Sequence, residues 1–283
     1  MKLSAAIELA SKKFEQAGIE SFLADAEILL GFVLDISRGE LQVKAITGES
    51  IDSDQEEKFL ELVNKRAERF PLQHLTEVAY FRSLELKVGP GVFVPRFETE
   101  TVTQLAVDAL KAVPTENPIA VDLATGSGAI ALSLAVEVPT AQVFAVELSE
   151  EALVYTRANF ARYAPEATLR QGDLADAFPE LDGQVDVLVS NPPYIPDEMV
   201  PIYPEVHLHD PSMALYGGVD GLDLVRKVEI SAKRLLRKGG ALIIEHADMQ
   251  GDAIRQLILS LGWRQCATHK DLSGRDRATT AIR

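Results

Sequence analysis

The chain has 283 residues, 28 of them lysine or arginine and 43 aspartate or glutamate, for a formal net charge of −15 at pH 7. So acidic a balance argues against a broad grip on nucleic acid, which needs concentrated positive charge. A single cysteine, Cys266, excludes an intramolecular disulfide and a cysteine metal cluster. With 47% hydrophobic residues a core of normal size is expected, and no run of about 18 apolar residues suggests a membrane span. Glu8 interrupts the amino-terminal segment, which does not resemble a signal peptide, so a cytoplasmic location is expected.

Residues 1–75 are predicted to be helical. Leu3, Ile7, Leu9, Ala10 and Phe14 recur at helical spacing, as do Phe22, Ala26, Leu29, Leu30 and Val33. A third helix is predicted over Asp52 to Phe70, capped by Ser53 with Glu56 as its partner and ended by Pro71. Residues 76–95 change character. Alternating apolar residues from Phe81 to Val94 flank Gly89-Pro90-Gly91, which predicts a hairpin turning at those glycines and linking two domains.

From Arg96 strands and helices alternate. Strands are predicted at 119–123, 142–147, 168–170, 185–190 and 241–246, with weaker signals at 264–268 and 278–282. Helices are predicted at 128–136, 150–163, 222–236 and 250–261. This alternation predicts an α/β domain over residues 96–283, its sheet mostly parallel and covered on both faces. Ligands of such sheets bind beyond the carboxyl ends of the strands, where the strand order reverses.

The first of these strands runs into Asp122-Leu123-Ala124-Thr125-Gly126-Ser127-Gly128, and a helix follows. A loop so poor in side chains lets a ligand approach the backbone, and the helix adds N–H donors. Glu147, at the end of the second strand, is placed to accept both hydroxyls of an adenosine ribose. Gly126-x-Gly128-x-x-Ala131 also fits a nicotinamide dinucleotide. Asp122 favours another cofactor, because an anion there opposes a pyrophosphate and suits the amino group of S-adenosylmethionine. Asp173 is placed to accept from the adenine amino group and Leu174 to cover the ring, although a loop aspartate is more often a turn former.

The most specific feature is Asn191-Pro192-Pro193-Tyr194, directly after the strand 185–190. Two prolines stiffen the loop and remove its donors. The Asn191 side-chain oxygen and the Pro192 carbonyl can then accept both hydrogens of one planar –NH₂ group, on which Tyr194 can stack. Amide and exocyclic amino nitrogens are poor nucleophiles, and two acceptors raise their electron density and aim them.

The whole pattern resembles the peptide chain release factor glutamine methyltransferases (PrmC or HemK). The resemblance includes residues 71–76, Phe93-Val94-Pro95-Arg96 with Glu98-Thr99-Glu100, the two loops, Glu245-His246 and the run 271–277. It implies a Rossmann-like class I methyltransferase domain with a seven-stranded, mostly parallel sheet, preceded by a small helical bundle. The implied reaction is methyl transfer from S-adenosylmethionine, leaving S-adenosylhomocysteine, to the glutamine side chain of a Gly-Gly-Gln tripeptide in release factors. The implied cofactor site is Ala124 to Gly128, Glu147, Leu174 and Asn191. Pro192, Pro193 and Tyr194, with Asn191, would hold the glutamine, and residues 1–75 would dock the release factor. Ala124 and Glu77 stand where the family often has glycine, and Phe97 where proline is common. The methyl group of Ala124 is expected to be tolerable if φ is negative there. No direct nucleic-acid contact is expected, and the chain is expected to be monomeric. The alternative function is methylation of a nucleic-acid amino group. A metal at Glu205, His207, His209 and Asp210 is not expected.

Overall fold

A computed structural model describes residues 1–283, which divide into two compact units. The first holds Met1–Val78 together with Pro201–His209. The second holds Ala79–Val200 and Asp210–Arg283.

The first unit is built from α1 (Leu3–Gln16), α2 (Phe22–Leu34), α3 (Arg38–Ile46), α4 (Ser53–Ala67) and α5 (Leu72–Thr76). Ala6, Ala10, Phe14, Leu29, Leu30, Leu41, Phe59 and Val63 are fully buried in one core. The predicted third helix is α4, but its cap lies one residue earlier than expected. The Asp52 carboxylate accepts from Gln55 N at 2.8 Å, and Gln55 returns a bond to Asp52 N at 3.1 Å. The helix α3, absent from the sequence reading, carries a second such box between Ser37 and Glu40. The distant segment 201–209 joins this unit through Glu205, whose carboxylate accepts from Arg66 at 2.8 Å and Arg69 at 2.7 Å. Arg66 also pairs with the buried Asp25 at 2.8 Å.

The second unit opens with a hairpin, β1 (Val78–Phe81) and β2 (Leu84–Lys87). Its turn is Arg82-Ser83, not the expected Gly89-Pro90-Gly91, and Arg82 adopts a left-handed φ of 51°. Val88, Val92 and Val94, which follow β2, are buried in a small cluster with Ala79 and Ala152 instead of forming a strand. Next come α6 (Phe97–Lys111), β3 (Ile119–Leu123), α7 (Ala129–Glu137), β4 (Gln142–Glu147), α8 (Glu150–Tyr163), β5 (Thr168–Gln171) and β6 (Val185–Ser190). The chain ends with α9 (Pro204–His209, in the first unit), α10 (Asp223–Leu235), β7 (Leu236–Glu245), α11 (Gly251–Ser260), β8 (Arg264–Lys270) and β9 (Asp276–Ile282).

The seven strands are ordered β5-β4-β3-β6-β7-β9-β8, all parallel except β9, which runs antiparallel to β7 and β8. Their residues alternate between two cores, as the twofold pleat requires. Ala120, Val187, Val189 and Ile243 face Val102, Ala106, Leu132 and Phe160 of α6, α7 and α8. Val121, Leu123, Leu188 and Ile244 face Val225, Val228, Ile254 and Ile258 of α10 and α11. The strand order reverses between β3 and β6, so the loops leaving their carboxyl ends start side by side.

Candidate active site

Leu123 is paired with Ser190 across β3 and β6, and the Ser190 hydroxyl donates to the Leu123 carbonyl at 2.7 Å. The glycine loop and the Asn191–Tyr194 loop therefore begin about one strand spacing apart, roughly 5 Å.

Asp122, 1% exposed, organises the first loop from below. Its Oδ2 accepts from Thr125 Oγ1 at 2.6 Å and from Ala131 N at 3.2 Å, which ties the turn to the start of α7. Its Oδ1 is buried without a partner. Burial drives its pKa up to about 7, against the pull of those two hydrogen bonds. Ala124 has φ 60°, in the left-handed region, so the condition set for tolerating its methyl group is not met. Glycine would adopt that backbone shape without the Cβ penalty. Glu77 is likewise left-handed at φ 59°, where it ends α5.

Gly128 is required for space as well as for its φ of 89°, since a Cβ there would lie 2.9 Å from the Phe160 ring. Two residues of α8 that the sequence did not single out hold the loop. Thr156 Oγ1 donates to the Gly126 carbonyl at 2.6 Å and Asn159 Nδ2 to the Ser127 carbonyl at 2.9 Å. Glu147 lies beside the loop and accepts from Gly126 N at 2.8 Å and Ser149 N at 2.9 Å, one bond on each oxygen. Each oxygen keeps a second acceptor site. Asp173 forms the turn after β5, accepting from Ala175 N at 2.9 Å on Oδ1. Leu174 is buried in the core with Phe178 and Val225, and only 7% of it is exposed.

The second loop is braced from behind by residues the sequence reading missed. Ile195 N donates to the Leu215 carbonyl at 2.9 Å, and Gly217 N to the Ile195 carbonyl at 2.8 Å. Gln250 Nε2 donates to the Tyr194 carbonyl at 2.8 Å. Gly217 and Gly221 must lack side chains. A Cβ would lie 2.6 Å from the Pro193 carbonyl oxygen in the first case and 2.3 Å from that of Tyr194 in the second. The Pro192 carbonyl accepts no main-chain hydrogen bond, and Asn191 and Tyr194 are half-buried.

The charged block around Arg96 also gains a place. Arg96 donates to Asp210 at 2.6 Å and stacks over Phe93 at 4.8 Å. Asp210 is pushed up to about 6 by burial, with Arg96 opposing. Thr99, in the first turn of α6, donates to Glu245 at 3.1 Å. Burial raises Glu245 to about 8, and burial followed by the Glu245 charge raises the Tyr194 phenol. Glu205, His207, His209 and Asp210 do not converge. Glu205 binds the two arginines, His209 stacks on Phe70 at 4.0 Å and Asp210 pairs with Arg96.

The sheet with its single antiparallel strand, the glycine loop after β3 and the proline loop after β6 define a Rossmann-like class I methyltransferase. Comparison with known proteins agrees. The family model of the PrmC N-terminal domain matches residues 5–76, and that of the methyltransferase small domain matches residues 83–201. A release factor glutamine methyltransferase of Streptomyces coelicolor is 50% identical over 281 residues, 99% of this chain and 97% of the relative. One from Mycolicibacterium smegmatis is 42% identical over 283 residues, covering 100% of this chain and 98% of the relative. A 4-amino-L-phenylalanine/4-methylamino-L-phenylalanine methyltransferase of Streptomyces pristinaespiralis is 36% identical over 287 residues, with 99% and 95% covered. The chain belongs to the release factor glutamine methyltransferase family.

Proposed function

We propose that this chain transfers a methyl group from S-adenosylmethionine to the side-chain amide nitrogen of the Gly-Gly-Gln glutamine of release factors. The observation that carries this reading is the braced loop Asn191–Tyr194 lying beside the glycine loop, with its Pro192 carbonyl free of main-chain bonds. Membership of the family supports the substrate.

The residues fit the cofactor. The unpartnered Oδ1 of Asp122 suits an ammonium group, and Glu147 keeps one acceptor site on each oxygen for two ribose hydroxyls. Asp173 keeps one carboxylate oxygen for the adenine amino group. The main chain of Ala124, Thr125, Gly126, Ser127 and Gly128 allows close approach. When bound, S-adenosylmethionine supplies a methyl carbon activated by a sulfonium.

The protein's part is orientation. Asn191 Oδ1 and the Pro192 carbonyl accept the two hydrogens of the substrate amide, and Pro193 and Tyr194 wall its plane. Held this way, the amide nitrogen would be aimed to take up the methyl group that the bound sulfonium would supply. The nitrogen would give up one proton to solvent. Positive charge growing on nitrogen is stabilised by the same two oxygens, which are already aimed. Orientation alone supplies up to roughly 7–11 kcal/mol in the best intramolecular cases. The helical unit docks the release factor, and the chain acts as a monomer.

The test is transfer of a labelled methyl group to an intact release factor, to 4-amino-L-phenylalanine and to duplex DNA, side by side. Label on the release factor alone is expected. Label on the amino acid or on DNA would move the function to a small amine or to a nucleobase.

A further inference from the structure

A buried carboxyl lies beside the start of the Asn191–Tyr194 loop, and the transfer described above gives it no role. Glu245 is the last residue of β7 and is 1% exposed. The register sets Ile244 opposite Ser190, so Glu245 stands beside Asn191, the first residue of the loop. Its Oε1 accepts from Thr99 Oγ1 at 3.1 Å, while its Oε2 is buried without a partner. The Tyr194 hydroxyl acts on it as a hydrogen-bond donor, and the Arg277 and Glu98 charges act on it at longer range. Arg96 adds a further positive charge near the phenol. Arg277 is itself held by Asp271 at 3.2 Å and by the His246 carbonyl at 3.4 Å.

The strand does not need an acid here. Leu242, Ile243 and Ile244 before it are apolar and buried, and a buried carboxyl with one oxygen unpartnered is costly compared with an apolar side chain. What the acid adds lies toward Tyr194, the one aromatic residue of the loop.

We propose that Glu245 is a positioning residue of the methyl-transfer site: Thr99 fixes one of its oxygens, the other accepts the Tyr194 hydroxyl, and the tyrosine ring is thereby set against the acceptor group. This inference rests on the reading that the loop holds the substrate amide. It gives the Arg96–Glu100 block a role, since α6 supplies Thr99 and Glu98 to the same cluster. Glu245 touches neither substrate nor cofactor and acts through Tyr194.

The test is a double-mutant cycle on the full chain, with an intact release factor as substrate. Wild type, Glu245→Met, Tyr194→Phe and the double variant are compared for kcat, KM, cofactor affinity and thermal midpoint, with Glu245→Gln as rescue. The thermal midpoint of Glu245→Met confirms that this variant is folded, so that its kinetics can be read. Glu245→Met is expected to lower kcat roughly ten- to a hundredfold, with cofactor affinity changed by less than about twofold. The double variant should lose no more than the worse single one, since both break one link. Glu245→Gln keeps an acceptor for Tyr194 and should recover most of kcat. A fully active Glu245→Met, losses that multiply, or a Glu245→Gln as slow as Glu245→Met would each overturn the inference while the wild type stays active. A wild type that binds cofactor but methylates no release factor would overturn the parent reading, and this inference with it.

Discussion

The Ser190 hydroxyl donates to the Leu123 carbonyl at 2.7 Å, pinning together the strand ends from which both loops of the site spring. Ser190 is fully buried, so the bond is sheltered from water. Ser190→Ala is expected to cost about 1 kcal/mol of stability, the usual worth of one such bond. It should lower kcat by more than it weakens cofactor binding, because it loosens the relation between the loops and not the glycine loop itself. Denaturant midpoints and steady-state kinetics on the same samples check this. An unchanged kcat would mean that the loops are aligned by other contacts.

Ala124 and Glu77 both carry a Cβ in left-handed backbone, at φ 60° and 59°. Such a residue is strained by roughly 1–2 kcal/mol, part of which glycine returns as unfolded-state entropy. Ala124→Gly and Glu77→Gly are each expected to raise stability by up to about 1 kcal/mol. Thermal midpoints decide, and a lower midpoint in either variant would contradict the strain.

Asp122 holds its proton up to about pH 7 because it is buried. An ammonium group arriving at its unpartnered Oδ1 favours the charged carboxylate, so binding must expel that proton below about pH 7. Cofactor affinity should therefore rise with pH up to that point and level off above it. Calorimetry in two buffers of different ionisation heat should detect the released proton, and Asp122→Asn should abolish both effects. Proton uptake instead of release would place the ammonium elsewhere.

Stability should also depend on pH with a definite sign. Glu245, Asp122 and Asp210 have folded-state pKa values of about 8, 7 and 6, above their ordinary 4.5, 3.8 and 3.8. The folded chain thus binds more protons than the unfolded chain between about pH 4 and 8, and stability falls as pH rises through that window. Asp271 acts oppositely. Hydrogen bonds from Ser273, Arg275 and Arg277 outweigh its desolvation and hold it at about 2, so its contribution is present above 3.8 and lost as pH falls toward 2. A thermal midpoint that peaks near pH 4–5 is expected, with a shallower alkaline decline in Glu245→Gln. A midpoint rising steadily from pH 5 to 8 would contradict the assignment.

The central strands β3, β4 and β6 were legible because each is a short, largely buried apolar run bounded by turn residues. β3, β4 and β6 fall at the residues their patterns predict. Helix α6 was not legible. Its first turn is acidic, and its inner face includes the buried hydroxyls Thr99 and Thr103, which blur the apolar period. The hairpin was read with its turn in the wrong place because Gly89-Pro90-Gly91 is a louder signal than Arg82-Ser83. Both loops of the site were legible from glycine and proline spacing. Their supports were not. Thr156, Asn159, Gly217, Gly221 and Gln250 act across the fold, from positions whose own neighbours in sequence give no sign of it. For Gly217 and Gly221 the only local hint was the glycine-rich run 217–221.

The central claim is that the Asn191–Tyr194 loop presents a glutamine amide to the activated methyl group. Peptide mass spectrometry of a release factor incubated with S-adenosylmethionine and this chain tests it most directly, with Asn191→Ala in parallel. The account predicts the mass of one methyl group on the Gly-Gly-Gln glutamine, absent with Asn191→Ala although that variant remains folded. An unmodified glutamine in the presence of cofactor-bound wild type, or a methyl group on another residue, would contradict it.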